Sequence, residues 1–102
     1  LAIRARVYAR KRCLDVLPPE AAERIREHTN GLCIYCGAPG NSFDHLVAVK
    51  LGGKTEPGNI VLSCQSCNSR KKDADIDTWL TRVPITTELF EAIALAAQMG
   101  VI

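Results

Sequence analysis

Two Cys-x-x-Cys steps, Cys33/Cys36 and Cys64/Cys67, constrain this chain more than any other feature, and they enclose most of its chemically distinctive residues. A two-residue gap lets both thiolates of a pair reach one ion. Four thiolates at about 2.3 Å make a closed tetrahedron suited to structural zinc, with no open position for a substrate. Such a site supplies roughly 10–16 kcal/mol of binding energy that is also folding energy. A chain of 102 residues with 5% aromatic content has a small core and needs such a staple. Two disulfides or a redox pair would fit less well, because both steps lie inside one hairpin-helix unit. Cys13, the fifth cysteine, lacks a spaced partner and reads as a structural thiol.

Local signals divide the rest. The length suits one domain. Residues 1–17 read as a basic N-terminal arm or helix and residues 18–102 as a single domain, with its motif core over 32–72 and a helical cover over 73–102. Pro18 and Pro19 suit the first turn of a helix. That helix carries Ala21, Ala22 and Ile25 as its apolar stripe, places His28 in its last turn and stops at Asn30-Gly31. Residues 32–40 form a short knuckle, with Gly37 permitting the tight return, and residues 42–49 alternate as a strand. The turn-rich stretch 50–59 contains Gly52-Gly53 and Pro57-Gly58, and Ile60, Val61 and Leu62 form the returning strand. Residues 65–72 open a helix. Asp73, Asp75 and Asp77 are N-cap candidates for a short helix with Ile76, Trp79 and Leu80. Thr86 or Thr87 caps a last helix with Leu89, Phe90, Ile93 and Ala97 inward and Gly100 as its stop.

Charge is uneven. Residues 1–16 hold five basic groups (Arg4, Arg6, Arg10, Lys11, Arg12) against one acid, and residues 43–72 are net +3 while residues 73–102 are net −4. A basic arm and a basic motif region beside an acidic tail suggest one face for a polyanion. The bland alternative is a solvated basic helix. No apolar run is long enough for a membrane span. The arginines near Leu1 interrupt any signal-peptide pattern, so an intracellular, reducing location is expected, where paired cysteines bind metal. A start at Leu1 rather than methionine suggests a piece of a longer protein.

A knuckle, a hairpin and a second cysteine pair at a helix start resemble a treble-clef zinc finger. More specifically, CIYCG, DHL, the GG turn, GNIVLSCQSCN and the following RKK resemble, in that order, the HNH endonucleases. The resemblance covers residues 32–72 and leaves the two ends aside. It implies a small α+β, ββα-metal fold with flanking helices, and a nuclease that hydrolyses DNA phosphodiesters. By the same resemblance His45 is the general base, Asp44 binds a divalent ion, and Asn59 pins the hairpin loop and so orients His45. An imidazole pKa of about 6.5 suits that base near neutral pH.

Asn68 stands where the family most often has histidine, giving an H-N-N version. Its amide oxygen can serve as the second ligand, and an all-oxygen donor set favours Mg²⁺ or Mn²⁺. The same change would also suit a weakened site. Adjacent strand residues point to opposite faces, so Asp44 and His45 require a kink or loop, or an ion on one side and water on the other. Arg70 is a candidate for transition-state charge or a phosphate grip, and Lys71 and Lys72 for phosphate contacts. Double-stranded DNA is the expected partner, with the N-terminal arm adding backbone contacts, and cutting both strands would need a dimer or two events. The rivals are a treble-clef module that grips nucleic acid without cutting and a purely structural interaction domain.

Overall fold

The computed structural model describes residues 17–102. Arg4, Arg6, Arg10, Lys11, Arg12 and Cys13 lie outside the described residues, and with them the expected arm except Leu17. That residue is buried with Ala21 and Ile60.

The first helix, α1 (Pro19–His28), starts on the prolines. Pro18 is its N-cap, and Pro19 occupies the first turn, where a missing N–H costs no helical hydrogen bond. Its end is set by two left-handed residues, Asn30 at φ 53° and Gly31 at φ 79°. The knuckle follows. Cys33 N–H donates to Ala38 O at 2.6 Å and Gly37 N–H to Cys33 O at 2.9 Å, with Gly37 at φ 80° making the return.

The hairpin pairs β1 (Ser42–His45) with β2 (Ile60–Ser63), antiparallel, with Asp44 opposite Val61 and His45 opposite Ile60. β1 is shorter than the alternation of residues 42–49 predicts. The ladder stops because the Asn59 side chain takes both backbone groups of Val47: Val47 N–H donates to Asn59 Oδ1 at 2.8 Å, and Asn59 Nδ2 donates to Val47 O at 3.0 Å. The chain then leaves the sheet through a 3₁₀ turn (Val49–Leu51) and returns through a second (Pro57–Asn59).

Strand alternation gives the sheet two different faces. Ser42, Asp44, Val61 and Ser63 share the face against which α2 (Gln65–Lys71) makes its side-chain contacts. Phe43 and Ile60 share the other, where Phe43 and Ile60 pack with α1 residues Ala21 and Ile25, and the Arg26 guanidinium lies 5.5 Å from the Phe43 ring centroid. All four residues of β2 are buried.

The cover is made by α3 (Ile76–Leu80) and α4 (Thr87–Gln98), capped by Asp75 and Thr86 respectively. Ile76, Trp79, Leu89 and Ala96 close the core over Ile34, Tyr35, Leu46 and Val61. Trp79 meets Tyr35 edge-on, centroids 5.2 Å apart at 87°. The inward stripe of α4 is Leu89, Ala92, Ile93 and Ala96 at helical spacing. Phe90, expected inward, is 65% exposed, and Ala97 is exposed where Ala96 is buried. Gly100 stops α4 at φ 77°, and His28 Nε2 lies 3.1 Å from Glu91 Oε2, tying α1 to α4. Among the described residues no helix is long and apolar enough to cross a membrane.

Candidate metal centre and active site

The four cysteines of the motif converge. Their Sγ atoms all lie within 4.8 Å of one another, and Cys36 and Cys64 are 3.6 Å apart. A tetrahedron with bonds of about 2.3 Å has its sulfurs about 3.8 Å apart, so the cluster fits a structural zinc. The knuckle delivers the first pair. The second comes from the N-cap and third residue of α2: the Cys67 N–H donates to Cys64 Sγ at 3.4 Å. That bond holds the Cys64 thiol down to about 7, while burial pushes Cys67 up to about 12. The set therefore includes one sulfur that ionises readily near neutral pH and one that needs the ion to lose its proton.

Arg70 serves this cluster. Its Nη2 donates to Cys67 Sγ at 3.2 Å. Cys67 lies three residues back, one helical turn away, which brings its sulfur within reach of the guanidinium.

The second site lies on the α2 face of the sheet. Asp44 is the centre of a buried polar cluster. Tyr35 Oη donates to its Oδ2 at 2.7 Å, and Lys71 Nζ stands 3.4 Å from the same oxygen. Burial raises the Asp44 pKa, against the opposing pull of the Lys71 charge and of the Tyr35 and Lys71 hydrogen bonds. Lys71 also donates to the His45 carbonyl at 2.8 Å and is 1% exposed. Of the two lysines expected to offer a phosphate contact, Lys71 turns its long side chain inward, where a buried carboxylate and a carbonyl satisfy it. Lys72 is exposed, at the C-cap of α2, with φ 49°.

His45 ends β1 on the opposite face from Asp44, as strand alternation requires, and the ladder stops there. Its Nε2 lies 2.9 Å from Thr55 Oγ1, a residue of the loop between the strands. Burial lowers the imidazole pKa below 6.5. The ring is therefore largely neutral at neutral pH and able to accept a proton.

Asn59, fully buried, holds that loop. Besides its bonds to Val47 it donates to Lys54 O at 2.9 Å, so one carboxamide joins the two ends of the excursion. Gly53 passes so close to this junction that a Cβ would run into the Val47 carbonyl.

Asn68 faces the same side as Asp44 but has its own partners. Its Oδ1 accepts from Ser63 Oγ at 2.8 Å, and its Nδ2 donates to Ser42 Oγ at 2.7 Å. Ser42 stands two residues before Asp44 on the same strand face. Carboxylate and carboxamide oxygens have lone pairs beyond those engaged by one or two donors, and such oxygens suit hard cations.

Tyr35, Thr55, Ser42 and Ser63 were missed by sequence reasoning. Only Tyr35 carried a signal, as a large side chain between two metal ligands.

Residues 33–74 match the family model described as HNH endonuclease. No curated protein matches the chain.

Proposed function

We propose, from the match of residues 33–74 to the HNH endonuclease family model, that the protein is an intracellular metal-dependent endonuclease acting on DNA, double-stranded for preference. The observation that carries the reading is the pairing of Asp44 with His45. A buried carboxylate is supported in its charged form by Lys71 and Tyr35, and the next residue is an imidazole that burial keeps neutral.

Asp44 and Asn68 would hold a Mg²⁺ or Mn²⁺ ion. When bound, such an ion stabilises charge developing on the phosphoryl and leaving oxygens. His45 is the general base. Its contact with Thr55 Oγ1 orients the ring, and the neutral imidazole takes the proton of the attacking water. Asn59 is a positioning residue: by pinning Val47 and Lys54 it sets the loop that carries Thr55, and so the angle of the ring. Lys71 balances the charge of Asp44. Lys72 and the basic residues Arg4, Arg6, Arg10, Lys11 and Arg12 contact the phosphate backbone, giving affinity without sequence information. One site cuts one strand, so double-strand cleavage takes two copies or two events.

One observation favours a second reading. Asp44 and Asn68 are both engaged by side chains of the chain itself, as in a zinc-stapled module that binds nucleic acid without cutting it. Plasmid cleavage with Mg²⁺ or Mn²⁺ decides, comparing the native chain with His45→Ala. The nuclease reading expects the native chain to cut and His45→Ala to lose about 100-fold or more of the rate. Equal inertness with retained DNA binding would favour the binding module.

A further inference from the structure

Asp44 is gripped from two directions, and both contacts fall on one oxygen. Tyr35 Oη is 2.7 Å and Lys71 Nζ 3.4 Å from Oδ2. Among the described residues these side-chain contacts leave Oδ1 outside the grip. The terminal torsion of a carboxylate is broad, so fixed donors on one oxygen settle which way the other points.

Tyr35 is unusually well fixed for this task. It lies between Cys33 and Cys36, is 1% exposed, and has its ring set edge-on against Trp79. The backbone beside it is tied to the sheet, with Ile34 N–H donating to Leu62 O at 3.0 Å. A phenol so placed can swing only if the knuckle moves, and the knuckle is set by the zinc ligands.

We propose that Tyr35 is a positioning residue which locks Asp44 through Oδ2, presents Oδ1 as the ligand oxygen for the divalent ion, and thereby makes binding of that ion depend on the zinc knuckle. The inference rests on the reading of Asp44 as an ion ligand. Ligating carboxylates are commonly held by outer hydrogen bonds whose loss costs about 10–100-fold in metal affinity or activity. A purely structural phenol that satisfies its hydroxyl in the core would instead leave ion binding unchanged.

The test is a Mn²⁺ titration followed by electron paramagnetic resonance on the zinc-loaded full chain, comparing native, Tyr35→Phe and Asp44→Asn. Phenylalanine keeps the ring and its contact with Trp79 and removes only the donor. Tyr35→Phe is expected to retain its zinc and weaken Mn²⁺ binding about 10–100-fold. In the cleavage assay it raises the Mn²⁺ concentration for half-maximal rate more than it lowers the rate at saturating Mn²⁺. Native-like Mn²⁺ binding by Tyr35→Phe, with binding abolished in Asp44→Asn, overturns the proposal and leaves the nuclease site standing. Zinc loss from Tyr35→Phe would make Tyr35 a structural part of the knuckle and also overturn it. Mn²⁺ binding that Asp44→Asn leaves untouched removes Asp44 as the ligand, and the proposal with it.

Discussion

Burial pushes the His45 imidazole below its ordinary pKa of 6.5; the Lys71 ammonium acts in the same direction, and the Asp44 carboxylate opposes both. In the proposed mechanism the neutral ring is the base, so the cleavage rate is expected to rise with pH through this lowered pKa and to level off by neutrality. A pH–rate profile should place the midpoint of the acid limb below 6.5, and a midpoint above it would contradict the assignment. The same shift makes a stability statement. Because the fold favours the neutral ring, that contribution is fully present above the unfolded pKa and is lost as pH falls through the folded one. The short ordered motif pointed to Asp44, His45 and Asn59, and the fold sets all three on one hairpin. The orientation of Lys71 and Arg70 was not legible in the sequence. A lysine at the end of a basic run looks solvated until the fold places a carboxylate over it, and an arginine one turn from Cys67 looks like a phosphate ligand until four thiolates converge. Lys72, with φ 49° and ψ −124°, holds a backbone conformation typical of glycine that nothing in its side chain announces.

At the scale of elements, local signals translated well and tertiary ones did not. The prolines opening α1, the Asn30-Gly31 stop, the Thr86 cap and the Gly100 terminus all act within a few residues, so the chain displays them directly. The length of β1 depends on Asn59, which lies twelve residues beyond Val47, and alternation alone overextends the strand. The inward face of α4 is rotated for a similar reason. Phe90 is apolar, but the stripe that meets Trp79 and Val61 runs through Leu89, Ala92, Ile93 and Ala96. Because one buried carboxamide joins Val47 to Lys54, Asn59→Ala should cost about 2–4 kcal/mol, combining lost hydrogen bonds with a cavity. Urea unfolding with zinc held saturating measures this. The cleavage rate should fall with it as the Thr55 loop loosens, and unchanged values of both would remove Asn59 from the orienting role.

For the molecule as a whole, the proposed function separates a catalytic ion from the cysteine-bound zinc and so predicts two separable losses. Mild chelation that removes Mg²⁺ or Mn²⁺ should abolish cleavage and leave helical circular dichroism intact. Stripping the tetrathiolate ion withdraws folding energy on the order of 10 kcal/mol, comparable to the whole stability of a domain of this size, and should unfold it. Loss of helix at the mild step would contradict that division. The tetrathiolate knuckle and the hairpin were readable because cysteine spacing is a geometric constraint. The link between the two sites runs through Tyr35 and could be found only once the knuckle had been folded onto the sheet.

The edge-on meeting of Tyr35 and Trp79 has an optical consequence. Trp79 is the single tryptophan of the chain, and its ring neighbour lies between two of the zinc ligands. Intrinsic fluorescence is therefore a gauge of zinc occupancy that requires no label. Emission should be blue-shifted and steady while the catalytic ion is withdrawn, then move to the red as zinc leaves and the indole meets water.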